Sequence, residues 1–337
     1  MKNPPSKTLG SALTRFLGDL PHQRAYSSNT IQSYRDCFKL LLRFVAGKGR
    51  RVSELSLADL NPPTITAFLD HLQTKRSNGA ATRNIRLSAI HSFFDYLGAE
   101  YPEHLDRAQR VLSVRFKRTD HRIIEYLEAD ELRAILDAID RSTTTGRRDY
   151  LLLTLMFNTG ARVQEVVSLK PADLRLETPP TVKFLGKGRK ERTCPLWPET
   201  ARLLKKHLQD TGLDSRDPRP LFQNGQGGPL TRFGARLIVR RHVQKAAQSV
   251  PSLKSKCIHP HSLRHSTAVY LLKSGVDLST IAHWLGHSSI NTTHKYVSID
   301  LEAKRAALAK AAPITTKAAA ASSWKPGEEL LKWLESL

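Results

Sequence analysis

Cysteine is scarce in this 337-residue chain, which contains three scattered copies. Because Cys37, Cys194 and Cys257 are odd in number and far apart, they exclude a disulfide framework and a paired cysteine metal site, and we expect buried, reduced thiols. Long apolar runs are also missing. No stretch approaches the ~20 residues of a membrane span, and charge interrupts residues 1–20, where a signal peptide would be apolar. These absences predict a cytoplasmic protein.

Acidic residues are few relative to basic ones. The 31 Asp and Glu face 53 Lys and Arg, which gives a net charge of +22 and a pI near 10.2. Such an excess attracts polyanions and is typical of nucleic-acid binding, although a membrane surface or a ribosome would also fit it. The basic residues are spread through predicted helices, so we expect a folded basic surface and not a disordered basic arm.

The apolar pattern predicts a first domain over residues 1–101. It contains four amphipathic helices and no strand signal. The fourth helix, "GAATRNIRLSAIHSFFDYLGAE", is expected to bury a face that begins at Ile85 and to expose Arg83 and Arg86 on the other side.

Three further segments follow along the chain. Residues 102–125 are basic and weakly periodic, which predicts a linker with one helical turn or more, either part of a basic clamp or a solvated tether. Residues 126–312 form a second domain, with "RRDYLLLTLMFNTG" as a buried central helix and "TVKFLGKGRKERTCPL" as a β-hairpin. Residues 313–337 are a flexible tail ending in "GEELLKWLESL", a short amphipathic helix that needs a groove to be stable.

Several residues of the chain could carry out chemistry on a phosphodiester. Cleavage without a metal requires fixed cations around the phosphate, a nucleophile and an acid for the leaving oxygen. Arg162 follows a helix break in "NTGARVQEVVSL" and could face a cleft, or it could form a surface ion pair with Glu165. Lys187, at the turn of "LGKGRKER", could donate a proton or contact phosphate, or be only a charged hairpin tip.

The segment "HPHSLRHS" places a titratable and a permanently charged residue side by side. His261 and Arg264 are three residues apart and neighbour each other on a helix surface. The histidine can exchange a proton near neutral pH, whereas the arginine serves as a fixed cation. His259 and His265 add the imidazoles of a metal site, but Arg264 among them would repel a cation and no cysteine or carboxylate cluster is near, so we expect no metal.

The segment "GHSSINTTHKYVSID" contains His287 and Tyr296. By itself Tyr296 is more typical of a packing residue with a solvated hydroxyl. Nearby arginine and protonated histidine would favour the phenolate, which can attack phosphorus. A phosphotyrosyl ester conserves the energy of the broken bond, so the strand can be rejoined to a different end without ATP.

Together the motifs "TGARVQE", "GKGRKER", "HSLRH", "LGH" and the downstream tyrosine resemble the tyrosine recombinases of the integrase/Xer type. The resemblance implies a mainly α fold, with a four-helix SAM-like core-binding domain and an α-rich catalytic domain that holds a small β-hairpin or sheet. It also implies these roles and no cofactor: phosphate clamp for Arg162 and Arg264, general acid for Lys187, proton transfer for His261, transition-state stabilisation for His287, and 3′-phosphotyrosine formation for Tyr296.

The family resemblance implies a site-specific DNA recombinase that works through a Holliday junction. Its expected partners are duplex DNA with inverted-repeat core sites and three further copies of itself, in a homo-tetramer on the nucleoid joined by the C-terminal helix docked in trans. Docking in cis, accessory proteins, a type IB topoisomerase-like activity and a catalytically silent DNA-binding regulator remain open alternatives. The candidate DNA contacts of the first domain are Thr30, Ser33, Tyr34, Thr82, Arg83 and Arg86.

Overall fold

The computed structural model describes residues 8–23, 26–47, 49–119, 124–186 and 190–286, together with positions 293 and 296. The chain divides into two compact units, 1–122 and 123–337. Both consist mainly of helices, and the second also contains a small antiparallel sheet. The predicted fold class is therefore confirmed. Within the described ranges, no helix is both long enough and apolar enough to cross a membrane.

The N-terminal unit packs its helices around an aromatic core. The rings of Phe16, Phe38 and Phe93 lie 5.4–6.1 Å apart. Side-chain caps start two of the helices, since Ser27 accepts a hydrogen bond from the Thr30 N–H and Asn61 accepts one from the Thr64 N–H. The helices are α1 (Leu9–Gln23), α2 (Ser28–Ala46), α3 (Pro62–Thr74), α4 (Ala80–Glu100) and α5 (Leu105–Leu112).

The buried face of α4 differs from the predicted one at its first turns. Ile85 is 55% exposed, whereas Arg83 is buried. The predicted stripe advanced in steps of four residues, which rotate by about 40° each, so it drifted off the core face over three steps. Arg83 is covered because the chain after α5 crosses this end of α4, where the Arg83 guanidinium donates to the Arg115 carbonyl at 3.3 Å. Arg86 is half-buried and donates to the Ser33 carbonyl.

The segment predicted as a linker contains a helix. Residues 105–112 form α5, and its Ala108 and Val111 belong to the apolar core of the N-terminal unit. Gly98 of α4 allows this packing, because a β-carbon there would already lie 3.2 Å from that of Ala108.

The C-terminal unit is built around α7, which buries most of its length as the apolar run predicted. The predicted hairpin is β2 and β3, with β1 added on one side, and Phe184 pairs with Arg192 across its centre. The helices are α6 (Ala129–Asp137), α7 (Thr144–Thr159), α8 (Val163–Val167), α9 (Pro198–Thr211), α10 (Arg232–Ala246), α11 (Pro260–Lys273) and α12 (Leu278–Leu285). The strands are β1 (Leu174–Arg175), β2 (Thr181–Leu185) and β3 (Glu191–Pro195).

The three cysteines do not share one environment. Cys37 and Cys194 are buried free thiols, and burial raises the pKa of Cys37 to about 12. Cys257 is exposed, so the prediction of a buried thiol is wrong for this residue. It lies in the connection just before α11, where its main-chain N–H donates to the Glu125 carboxylate.

Candidate active site

Two of the predicted phosphate-binding arginines meet at the carboxyl end of α12. Gly286, with a φ of +65°, ends this helix, and the last carbonyls of a helix have no partner within it. Arg264 donates to the Leu285 carbonyl at 2.7 Å, and Arg162 donates to the Gly286 carbonyl at 3.3 Å. Positions 102 residues apart in sequence therefore share one anchoring point.

Arg264 is a buried cation on the first turns of α11. Its side chain is almost inaccessible to solvent, and its second terminal nitrogen donates to the Gly160 carbonyl at 2.7 Å. Burial and repulsion from Arg162 lower the pKa of Arg264 to about 10, so the group is still charged at neutral pH. Two carbonyls thus fix the plane of a guanidinium that cannot move freely.

Arg162 and Glu165 form more than a surface ion pair. The Glu165 carboxylate is 6% exposed and accepts from both the main-chain N–H of Arg162, at 2.8 Å, and its guanidinium, at 3.0 Å. The Arg162 side chain itself is 37% exposed and can meet a ligand. The short helix α8 begins here, directly after the left-handed Gly160 at the end of α7.

A third arginine, Arg192 on β3, completes the arrangement and was missed from the sequence. It donates to the third successive carbonyl of α12, that of Trp284, at 3.2 Å. Its guanidinium also donates to both Glu165 carboxylate oxygens, at 3.1 and 2.7 Å. The signal was the two-residue alternation of β3, which puts Arg192 on the same inward face as the buried Cys194.

Tyr296, the predicted nucleophile, is fully buried. It packs with Val269, Ile281 and Leu285, which belong to one apolar cluster. Burial raises the pKa of Tyr296 to about 12, although the charge of Arg264 opposes this rise, so the residue is a phenol at neutral pH.

The hydroxyl of Tyr296 lies 2.7 Å from Nδ1 of His265. The sequence had suggested His265 only as a member of a discarded metal site. His261 is exposed, and its ring stacks on that of His265 with centroids 6.4 Å apart. The ring of His259 lies 6.3 Å from that of His261. Within the described segments, no group of His, Cys, Asp and Glu is arranged to hold a metal ion.

Two predicted catalytic residues, Lys187 and His287, lie outside the described residues. The residue that precedes each of them is described. A β-carbon on Gly186 would lie 3.7 Å from a Glu165 carboxylate oxygen, and the Gly286 carbonyl binds Arg162. Gly186 and Gly286, which precede Lys187 and His287, therefore lie beside the Arg162–Glu165 pair.

The candidate DNA contacts of the N-terminal unit have different exposures. Thr82 is exposed at the start of α4. Thr30, Ser33 and Tyr34 of α2 are half-buried. Tyr34 stacks against Phe16 with centroids 6.2 Å apart, so its ring serves the core.

Comparison with known proteins decides the family. The Phage integrase family matches residues 125–302, and the family described as "Phage integrase, N-terminal SAM-like domain" matches residues 13–101. This chain belongs to the phage integrase family. It is an enzyme of the tyrosine recombinase type, which cleaves and joins DNA strands.

Relatives of this family member extend over nearly its whole length. The integrase/recombinase y4rC of Sinorhizobium fredii is 40% identical over 96% of both chains. Tyrosine recombinase XerC of Bacillus licheniformis is 34% identical over 87% of this chain and 93% of the relative.

Solved structures share the fold at low sequence identity. XerH bound to its palindromic difH substrate, in a post-cleavage complex, aligns with a TM-score of 0.66 and 22% identity over 90% of each chain. The Tn1549 transposon integrase in complex with transposon right-end DNA aligns with a TM-score of 0.68 and 16% identity, over 89% of this chain and 98% of the other.

Proposed function

We propose that this family member is a site-specific DNA recombinase in which Tyr296 attacks the scissile phosphate. The phenolic oxygen forms a bond to phosphorus, the bond to the 5′ oxygen breaks, and that oxygen leaves with a proton as a 5′-hydroxyl. The strand remains as a 3′-phosphotyrosine until another 5′-hydroxyl attacks and restores the phenol. Exchange of one strand at a time between two sites then passes through a Holliday junction.

The single observation that carries this proposal is the meeting of Arg162 and Arg264 at the end of α12. Their guanidiniums are fixed by the neighbouring Leu285 and Gly286 carbonyls before any ligand arrives. Fixed cations lower the free energy of a phosphorane-like transition state because they need no reorganisation as charge develops. The partly exposed Arg162 can contact the phosphate, and the buried Arg264 adds a second positive charge beside it.

The buried phenol gives the proposed reaction a preceding step. No phosphate can reach a hydroxyl on a side chain with no solvent-accessible surface. Tyr296 therefore has to leave its contact with His265 and its apolar cluster before it attacks. We infer that binding to DNA supplies the free energy for this movement, which would keep the nucleophile withheld in the free enzyme.

A basic surface near the site supports duplex DNA as the substrate. Helix α10 exposes Arg232, Arg236 and Arg240 beside the exposed apolar side chains of Phe233 and Leu237. Arg236 and Arg240 also line a cleft between this helix and the segment that leads into α11, together with Lys254, Lys256 and His259. Arginine and lysine along such a surface can neutralise successive phosphates.

Covalent trapping tests the proposal. Nicked duplexes made from the DNA that flanks the coding sequence are incubated with the protein, and adducts that survive detergent are counted. Because Tyr296 provides the only proposed nucleophilic oxygen, Tyr296→Phe is expected to bind the same duplexes and to form no adduct. Tyr270→Phe is the matched control, since it removes a hydroxyl from the exposed face of α11.

Either of two results would contradict this function. One is an adduct that persists in Tyr296→Phe, and the other is an equal loss of adduct in Tyr270→Phe. A trapped complex that relaxes supercoiled DNA without pairing two sites would instead favour the topoisomerase-like alternative.

A further inference from the structure

Arg192 makes several contacts at the site but has no assigned role. Arg192 uses its guanidinium on three sides: both oxygens of Glu165, the Trp284 carbonyl and the face of the Phe184 ring, 4.8 Å from its centroid. Its side chain is 11% exposed. Both terminal nitrogens of Arg192 donate to the Glu165 carboxylate, so an adjacent anion already neutralises its charge, and we expect any part it plays in the reaction to act through that neighbour.

Glu165 is the neighbour through which Arg192 can act. The same two carboxylate oxygens that accept from Arg192 also accept from the main chain and the guanidinium of Arg162. A carboxylate held by one bidentate partner presents its remaining lone pairs in a fixed direction. Arg192 thereby sets the direction from which Glu165 holds Arg162.

Arg192 also links this carboxylate to the end of α12. A β-carbon on Gly286 would lie 3.1 Å from its Cδ, so the chain leaves α12 in van der Waals contact with the arginine stem. Three arginines bind three successive carbonyls there, with Arg192 on Trp284, Arg264 on Leu285 and Arg162 on Gly286. Because Arg192 comes from β3, it also joins the hairpin to this array.

We propose that Arg192 is a positioning residue for strand cleavage, which orients the Arg162 guanidinium through Glu165 and fixes the end of α12 that anchors both phosphate-binding arginines. This inference rests on the proposed function, since it concerns how the same phosphate is held. Lysine cannot replace it, because a single ammonium cannot bond two carboxylate oxygens and a carbonyl in this planar geometry.

The test is a double-mutant cycle in the full-length protein, with the trapping duplex that captures the wild-type enzyme. Arg192→Lys is expected to bind this duplex as the wild type does and to lower the rate of adduct formation by about 10²-fold, the loss expected for a reacting group misplaced by about 1 Å. In an Arg162→Lys background the same change is expected to cost only about tenfold, because one of the two arginines that it positions is already altered.

Arg148→Lys is the matched control. Arg148 forms a comparable buried pair with Asp149 at 2.6 Å, but it lies on the first turns of α7, about 18 Å along the helix from Gly160. Its replacement is expected to lower the melting temperature without slowing adduct formation. Arg192→Gln, which keeps a donor for Glu165, enters the same cycle if Arg192→Lys does not melt cooperatively.

Equal rate losses from Arg192→Lys in the two backgrounds would overturn the inference, as would an unchanged rate or a loss matched by Arg148→Lys. A wild-type protein that forms no adduct on any duplex would instead overturn the proposed function, so the two failures are distinguishable.

Discussion

Gly160 offers a sharp test of how the fold supports the arginines proposed to bind phosphate. It ends α7 with a φ of +57°, and its carbonyl accepts from Arg264 at 2.7 Å. A β-carbon at this position would lie 2.5 Å from a Leu285 methyl group and 3.2 Å from the Thr267 methyl group. Gly160→Ala therefore adds left-handed backbone strain and a steric overlap with Leu285. It also displaces Leu285, whose carbonyl is the second hydrogen-bond acceptor of Arg264.

Gly212 provides the matched comparison. It ends α9 with a φ of +64°, but nothing lies within 4 Å of the β-carbon that alanine would add. Left-handed strain alone costs roughly 1 kcal/mol, and overpacking adds about 2 kcal/mol at Gly160. At about 2–4 °C per kcal/mol for a unit of this size, we expect the melting temperature to fall by about 2–4 °C in Gly212→Ala and about 6–12 °C in Gly160→Ala.

Calorimetric melting and adduct formation are measured on both variants below their melting temperatures. Adduct formation is expected to fall about 10- to 100-fold in Gly160→Ala, because the overlap moves both carbonyl anchors of Arg264, and to be unchanged in Gly212→Ala. Equal effects of the two substitutions on both measurements would refute this reasoning, since they share the backbone strain and differ only in what the added methyl group meets.

The remaining predictions concern thiols, acid and salt. A thiol reagent is expected to modify Cys257 in the native protein and the buried Cys37 and Cys194 only after unfolding; one native thiol equivalent checks this, and three would contradict the structure. Burial opposes ionisation of Glu165, but its hydrogen bonds with Arg192 lower its pKa below the ordinary value of 4.5. The ionised Glu165 therefore stabilises the fold above pH 4.5, and this contribution to the free energy of unfolding is lost as the pH falls further below that value. An acid melting series that is flatter in the wild type than in Glu165→Gln would contradict this. Because the net charge of +22 implies counterion release, the affinity for duplex DNA should fall linearly on a log–log plot against salt, and a flat series would exclude phosphate neutralisation.

Local patterns were sufficient to predict most of the secondary structure. The apolar run of α7, the left-handed Gly160 after it and the alternation of the hairpin each depend on neighbours in sequence. Ile85 is the instructive failure on α4. Its misplacement came from extending a four-residue step too far, and the burial of Arg83 depends on the Arg115 carbonyl, which a distant segment brings there.

The candidate site was predictable only where a motif marks it. Arg162, Arg264 and Tyr296 stand in motifs, whereas Arg192 and His265 matter through contacts made in space, with Trp284 and Tyr296 respectively. No local pattern gives the 92-residue separation between β3 and the end of α12. The burial of Tyr296 could not be predicted either, because it depends on the packing of several elements around one ring.

The most direct measurement is peptide mapping by mass spectrometry of the protein trapped on its nicked duplex. The attack proposed for Tyr296 predicts a single nucleotide-bearing peptide, with the phosphate attached to the oxygen of this tyrosine through a 3′ linkage. A phosphate on any other residue, or a 5′ linkage, would contradict the assignment of Tyr296 and the strand polarity of the proposed reaction.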